Sequence, residues 1–563
     1  MFTYFNAHRR ACREKQQERK DSIAALPAEY RAPLTAQDVD ILRQPASAIV
    51  SRVQSGALSP KEVLVAYGKK ALLAHADTNC LTEIIIPKAE SWALEPKTKQ
   101  GPLAGMPISL KDSVGVAGFD ACIGYSKWVH KPFSKDAPVV ALLRDAGALP
   151  FVKTNVPITL LSFESNSDVF GRTTNPHSKG FSPGGSSGGE GALLALGGSR
   201  LGLGTDVAGS VRVPAHYSGV YTIKASSGRF PKVGNASGMV GQEGIPAVYS
   251  PMTRTLEDLE TFWKAVVSMK PWEYDPSCIP IPWREIDLPG KKTLKWGVIW
   301  DDGIVMPSPA CKRALQEVVS ALEADGHEVV DINPPSPLKA LKIGSQLLAN
   351  ASNDPGVALG TRALRVPFAR SLARLHALSY RIPLLRFHPF QPVDPLYASL
   401  VEGWHVHSGQ EHYAAVGARD AYRQEWFDFW KAQDLDFVLT VPNALPAMRH
   451  GGNKEGWKAC GYTFLFNVLD YAAGVLPITH VDRALDAIAS TSKLSSYRNA
   501  VEAGVYRGPR AYDADAMHGL PVGVQIVGKR LEEEKVLAGM QIIEGLLKKA
   551  GKGYEGLSVN VDV

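Results

Sequence analysis

Residues Ser182–Arg212 read SPGGSSGGEGALLALGGSRLGLGTDVAGSVR. Two serines, Ser186 and Ser210, stand among glycines on either side of a short apolar pattern, Ala192–Leu196, and a strand-like run that begins at Leu201. Glycine costs backbone entropy on folding, so Gly184-Gly185, Gly188-Gly189 and Gly197-Gly198 mark backbone that bends sharply or approaches another group closely. A flexible linker would share the Gly and Ser content, but its flanks would lack the apolar runs found here. The stretch therefore reads as strand and helix joined by tight turns that present two hydroxyls.

A serine hydroxyl keeps its proton at neutral pH, so nucleophilic attack requires a neighbouring base. None of the 14 histidines lies between Ser182 and Arg212. Upstream, GMPISLKDSVGV carries a strand-like run, Ile108-Ser109-Leu110, that ends on Lys111. A lysine at the end of a buried strand loses solvation as an ammonium, its pKa falls, and it can accept a proton. Serine–lysine pairs are an established variant of triad chemistry. Gly184-Gly185-Ser186-Ser187-Gly188 also fits G-x-S-x-G, in which Ser186 would be the attacking group. That elbow should follow a strand, whereas Lys179-Gly180-Phe181-Ser182-Pro183 precedes it, and His450-Gly451-Gly452, an echo of an oxyanion motif, falls downstream. No Gly-Lys-Ser/Thr supports a phosphate loop, and no metal site or cofactor is expected.

Outward from this stretch, helix and strand signals alternate. Asp136-Ala137-Pro138 opens a helix with Val139, Val140, Leu142 and Leu143 on one side, Gly147 closes it, and Ala148–Val152 reads as a strand. Ser308 caps a second helix that carries Leu315, Val318, Val319 and Leu322; Gly326 stops it before Glu328-Val329-Val330. Further strands are predicted at Trp296–Trp300, Phe437–Val441 and Val522–Val527, and a helix at Leu531–Lys549. The alternation predicts an α/β fold: a large mixed, mostly parallel twisted sheet covered by helices on both faces. Residues 1–40 read as an N-terminal helical arm, 41–563 as a single catalytic domain, and 276–292 as a surface connector.

The chain has 563 residues, with 62 basic and 56 acidic side chains, a net charge of +6. That excess is too dilute to indicate nucleic acid and favours a small-molecule partner. Its 6 cysteines lie far apart and read as free thiols. The first 20 residues are basic without a following apolar core, and no apolar run reaches the roughly 18 residues that span a bilayer. The expected location is cytoplasmic, with peripheral contact on an intracellular membrane as the alternative.

In order and context, Lys111 in SLKD, Ser186 in SPGGSSGGEGAL and Ser210 in GTDVAGSVRVPA resemble the amidase signature family. Ser186 lies 75 residues after Lys111, and Ser210 lies 24 after Ser186. The likeness extends from about Ser59 through Thr154-Asn155-Val156-Pro157 and YTFLFNVLDYAAGVLPITHV to Leu520–Gln525, and is strongest to the fatty acid amide hydrolase branch and nearby fungal amidases. The resemblance implies a serine hydrolase that cleaves carboxamides through an acyl-enzyme. Ser210 would be the nucleophile, Ser186, after a cis peptide, the bridging proton carrier, and Lys111 the final base. It also implies that backbone N–H groups from Val207 through Ala208 and Gly209 to Ser210 cradle the oxyanion, with Asp206 and Arg212 shaping that loop.

Leu160, Leu161 and Phe163, in ITLLSF, match a segment that borders the substrate in that branch, and core packing explains them equally well. Residues 361–390 interleave Arg362, Arg365, Arg370, Arg374, Arg381 and Arg386 with apolar residues, a pattern suited to a membrane surface although Pro367, Pro383 and Pro389 interrupt it. The expected substrates are hydrophobic or fatty acyl amides. Small aliphatic or aryl amides are the alternative, followed by an amidotransferase-like subunit acting in a complex. The resemblance alone raises a homodimer.

Overall fold

The computed structural model describes residues 2–286, 288, 293–349, 394–402, 407–452, 460–488, 497–507 and 511–558. The basic segment 361–390 and part of the connector at 276–292 lie outside the described residues. A single sheet of eleven strands organises the molecule. Its strands are β1 (Leu81–Ile84), β2 (Pro107–Lys111), β3 (Leu149–Thr154), β6 (Leu201–Asp206), β7 (Tyr221–Lys224), β8 (Val248–Thr253), β9 (Lys295–Val298), β10 (Glu328–Asp331), β11 (Phe437–Thr440), β12 (Ala473–His480) and β13 (Pro521–Val527). Two short strands, β4 (Asn166–Ser167) and β5 (Gly171–Arg172), pair separately. The spatial order is β1-β3-β2-β6-β8-β7-β12-β13-β11-β9-β10.

Residues of both parities are buried along β2, β3, β6, β8 and β13, so these strands are covered on both faces. The mixed sheet flanked by helices agrees with the sequence, but its parallel majority does not. Among the described residues, only β2–β3, β2–β6, β9–β10 and β9–β11 run parallel. β1–β3, β6–β8, β7–β8, β7–β12, β12–β13 and β11–β13 run antiparallel. Alternation of helices and strands favours parallel crossovers only where each helix returns the chain to the same end of the sheet, and the central strands β8, β7, β12 and β13 do not follow that path.

The predicted helices form at Pro138–Asp145, Pro309–Ala324 and Glu533–Lys549, and Ser308 Oγ accepts the Cys311 N–H as the expected cap. The N-terminal segment is the helix Phe2–Ala24. Its Lys15 ammonium is buried between Glu83 at 2.7 Å and Asp120 at 2.9 Å, which fastens the helix to the sheet edge at β1. All 6 cysteines are unpaired and buried. Among the described residues, no helix is long and apolar enough to cross a membrane.

Candidate active site

Three adjacent parallel strands, β3, β2 and β6, end at one edge of the sheet, the side on which open α/β sheets bind ligands. Their last residues are Thr154, Lys111 and Asp206. Leu110 pairs with Leu203, so Lys111 emerges beside the end of β6, where its amine meets Thr205. After β6 the chain turns through Val207-Ala208-Gly209-Ser210 into the helix Arg212–Ser218. Ser186 ends a turn that leads into the helix Gly188–Ala195, and the Gly185–Ser186 peptide is cis. The Ser187 N–H donates to the Ser210 carbonyl at 3.0 Å, tying the two serine-bearing turns together.

Lys111 is wholly buried; its Nζ lies 2.8 Å from Ser186 Oγ, 2.7 Å from Thr205 Oγ1 and 3.2 Å from the Thr205 carbonyl oxygen. Burial lowers the amine to about 7, against the carboxylates of Asp206 and Glu190, which favour the ammonium. As an ammonium the group donates to all three oxygens; as a neutral amine it donates to the two Thr205 oxygens and its lone pair can accept the Ser186 hydroxyl. This arrangement can pull a proton from Ser186 without a histidine. Ser186 and Ser210 are both buried, whereas Val207 and Ala208 are only half-buried.

The turn carrying Ser210 is held from behind. Asp206 accepts the Gly209 N–H at 2.8 Å and the Val211 N–H at 3.1 Å, and Arg212 pairs with it at 3.0 Å. Burial alone would raise the Asp206 carboxyl, but the Arg212 guanidinium and the Asn467 amide hold it well below the usual carboxylate range. Arg212 also donates to Asn467 Oδ1 at 2.6 Å, Gln525 Oε1 at 2.8 Å and the Thr463 carbonyl at 2.9 Å. Thr463 Oγ1 in turn donates to the Ala208 carbonyl at 2.8 Å. Gly209 has φ +121°, and a Cβ there would come within 2.4 Å of Thr463 Oγ1. The same network that shapes the turn occupies the Gly209 N–H, which donates to Asp206.

Ser162, Phe163 and Glu164 run against Gly185, the residue before the other serine. A Cβ on Gly185 would lie 2.2 Å from the Ser162 carbonyl oxygen and 3.0 Å from the Phe163 Cα, so glycine is required there by close approach. Phe163 is buried in the main core, Leu160 is half-buried against Ala121, Ile123, Tyr125, Val156 and Ala236, and Leu161 is 50% exposed. Thr159 and Leu160 both hold left-handed backbone, φ +68° and +61°, an unfavourable state for a β-branched or bulky side chain.

Sequence reasoning passed over Thr205, Glu190, Asn467, Thr463 and Gln525. All five lie within the stretches that carry the family resemblance, but nothing in those stretches gives them a partner or a role. Among the described residues, no group of three or more His, Cys, Asp and Glu could hold a metal ion.

Comparison with known proteins places this arrangement in context. Residues 62–537 match the amidase family. An acetamidase of Aspergillus oryzae is 33% identical over 557 residues, covering 93% of this chain and 93% of that protein. Fatty-acid amide hydrolase 1 of Sus scrofa is 34% identical over 549 residues, covering 95% of this chain and 91% of that protein. A solved fatty acid amide hydrolase structure matches with a TM-score of 0.82 at 29% identity, over 95% of this chain and 94% of the other.

Proposed function

This chain belongs to the amidase signature family of amide hydrolases, and on that premise we propose that Ser210 attacks the carboxamide while Ser186 and Lys111 relay its proton. The observation that carries this reading is the 2.8 Å approach of Ser186 Oγ to a wholly buried Lys111 amine. Ser210 Oγ adds to the carbonyl carbon, its proton passes to Ser186 Oγ, and the Ser186 proton passes to Lys111 Nζ. The oxyanion faces the N–H groups of Val207, Ala208 and Ser210; each preorganised donor is worth about 3 kcal/mol. On collapse the C–N bond breaks, the leaving nitrogen takes a proton from Ser186, and Lys111 returns one to Ser186. Water then hydrolyses the acyl ester by the same relay.

For the substrate we favour hydrophobic acyl amides of the fatty amide type. Half-buried Leu160 and exposed Leu161, which directly precede the Ser162–Phe163 backbone packed on Gly185, offer apolar surface to an acyl chain. A small-amide reading is supported by the relative named acetamidase, as similar at 33% as the fatty-acid amide hydrolase at 34%. A turnover panel from acetamide through benzamide to oleamide and N-acylethanolamines decides between them. Specificity constants that rise with acyl length support the fatty amide reading, and a maximum at acetamide refutes it.

A further inference from the structure

We propose that Glu190 is a positioning residue for proton transfer, supplying the buried counter-charge that stabilises Lys111 when the amine takes the proton. The inference rests on the base assignment above. Glu190 sits four residues after Ser186 on the helix Gly188–Ala195 and is wholly buried. Its oxygens accept the Ser109 hydroxyl at 2.6 Å and the Thr154 hydroxyl at 2.8 Å. Ser109 precedes Lys111 by two residues on β2, so both side chains leave the same face of the strand. A carboxylate buried among neutral hydroxyls is costly, and an ammonium arising on the same face offsets that cost.

The surrounding charges leave this role to Glu190. Of the two carboxylates Asp206 acts on Lys111 the more strongly, but its charge is already matched by Arg212 at 3.0 Å, with Lys224 adding to that match, whereas among the described residues Glu190 has only hydroxyl partners. On the neighbouring strand Lys153 donates to the Asp120 carbonyl at 2.5 Å and feels the charges of Asp112 and Glu83, and burial keeps the Cys80 thiol neutral, with Glu190 adding to that effect. Burial also pushes the Glu190 carboxyl up to about 7, with Ser109, Thr154 and Lys111 opposing it, so its charge responds to its neighbours.

The hydroxyls accommodate either protonation state. Ser109 Oγ has a second acceptor in the Leu201 carbonyl at 3.5 Å, and Thr154 Oγ1 has one in the Leu110 carbonyl at 3.5 Å. When Glu190 is ionised, both hydroxyls point at it. When it is protonated, its O–H donates to one hydroxyl oxygen, and that hydroxyl turns to the carbonyl. No side chain has to move.

The test is the pH profile of kcat and KM for Glu190→Gln, which keeps shape and hydrogen bonding but removes the charge. Losing the counter-charge makes Lys111 easier to deprotonate, so the midpoint of the acid limb falls by about one pH unit. The plateau kcat falls about tenfold, because the ammonium formed in the reaction is less stable, and KM stays within twofold. A midpoint that stays in place overturns the proposal whatever happens to kcat, since a purely structural glutamate would affect rate and stability without moving it. Should Glu190→Gln fail to fold, Ser109→Ala is read instead: it removes one donor to the carboxylate, and the midpoint falls in the same direction or the proposal is wrong. An acid limb that persists in the residual activity of Lys111→Ala overturns the base assignment, and this inference with it. A limb that depends on Lys111 but ignores Glu190 overturns this inference alone.

Discussion

Ser187 donates its backbone N–H to the Ser210 carbonyl at 3.0 Å, which ties the turn that carries Ser186 directly to the turn that carries Ser210. The two turns belong to different connections: one precedes the helix Gly188–Ala195, the other follows β6. The relay we propose needs their hydroxyls in fixed relation to each other and to the amine at the end of β2.

Removal of either hydroxyl separates the two serines. Ser210→Ala should lose at least about 10³-fold in kcat with KM little changed, because the nucleophile is gone while the binding surface remains. Ser186→Ala should lose about 10²- to 10⁴-fold, the range for a general acid–base group. Steady-state kinetics on one hydrophobic primary amide measure both. Full activity in Ser210→Ala would end the assignment.

Arg212 holds the turn that carries Ser210 through four partners, Asp206, Asn467, Gln525 and Thr463. Arg212→Ala leaves Asp206 ionised and buried, and should destabilise the fold by about 3–5 kcal/mol. Arg212→Lys should recover only part of this, since a single ammonium cannot match a planar fork. Urea denaturation midpoints test the order.

At Gly209, φ +121° and the nearby Thr463 Oγ1 both exclude a Cβ. Gly209→Ala should displace the Val207–Ser210 amides and cost at least about 10²-fold in kcat/KM, comparable to losing one oxyanion donor. Kinetics near wild type would show that the turn does not hold the donors.

Leu160 tests the acyl wall. Leu160→Ala should lower kcat/KM for a long-chain amide by about tenfold, the scale of removing methylene contacts from a hydrophobic pocket, and leave acetamide within a factor of two. Equal losses on both substrates would place Leu160 in support of the fold and not against the acyl chain.

Much of the candidate site could be picked out in the sequence because the features that mark it are local. Lys111 closes an apolar strand, Ser186 and Ser210 sit among glycines, and Asp206 and Arg212 carry opposite charges on either side of one turn. The pairing that completes the network was not legible: Asn467 and Gln525 lie in stretches that carry the family resemblance, but their meeting with Arg212 spans 255 and 313 residues and no local pattern encodes it. Strand positions such as Phe437–Thr440 and Pro521–Val527 followed from apolar runs between turns. Strand direction did not, because β12 and β13 are joined by a long connection whose course decides whether they pair parallel or antiparallel. Phe163 shows the same limit, since an aromatic that borders a turn and one that fills the core look alike along the chain.

The most direct test of the relay is the rate at which a fluorophosphonate labels Ser210 as a function of pH, in the wild type and in Lys111→Ala. The Lys111 amine must be neutral to accept a proton, and burial lowers it to about 7, so below that pH it is charged and the relay is closed. Labelling should rise with pH to a plateau above a midpoint near 7, with the label mapping to Ser210, and Lys111→Ala should be slow at every pH without that midpoint. A flat wild-type profile, an unchanged midpoint in Lys111→Ala, or label recovered on Ser186 would contradict it.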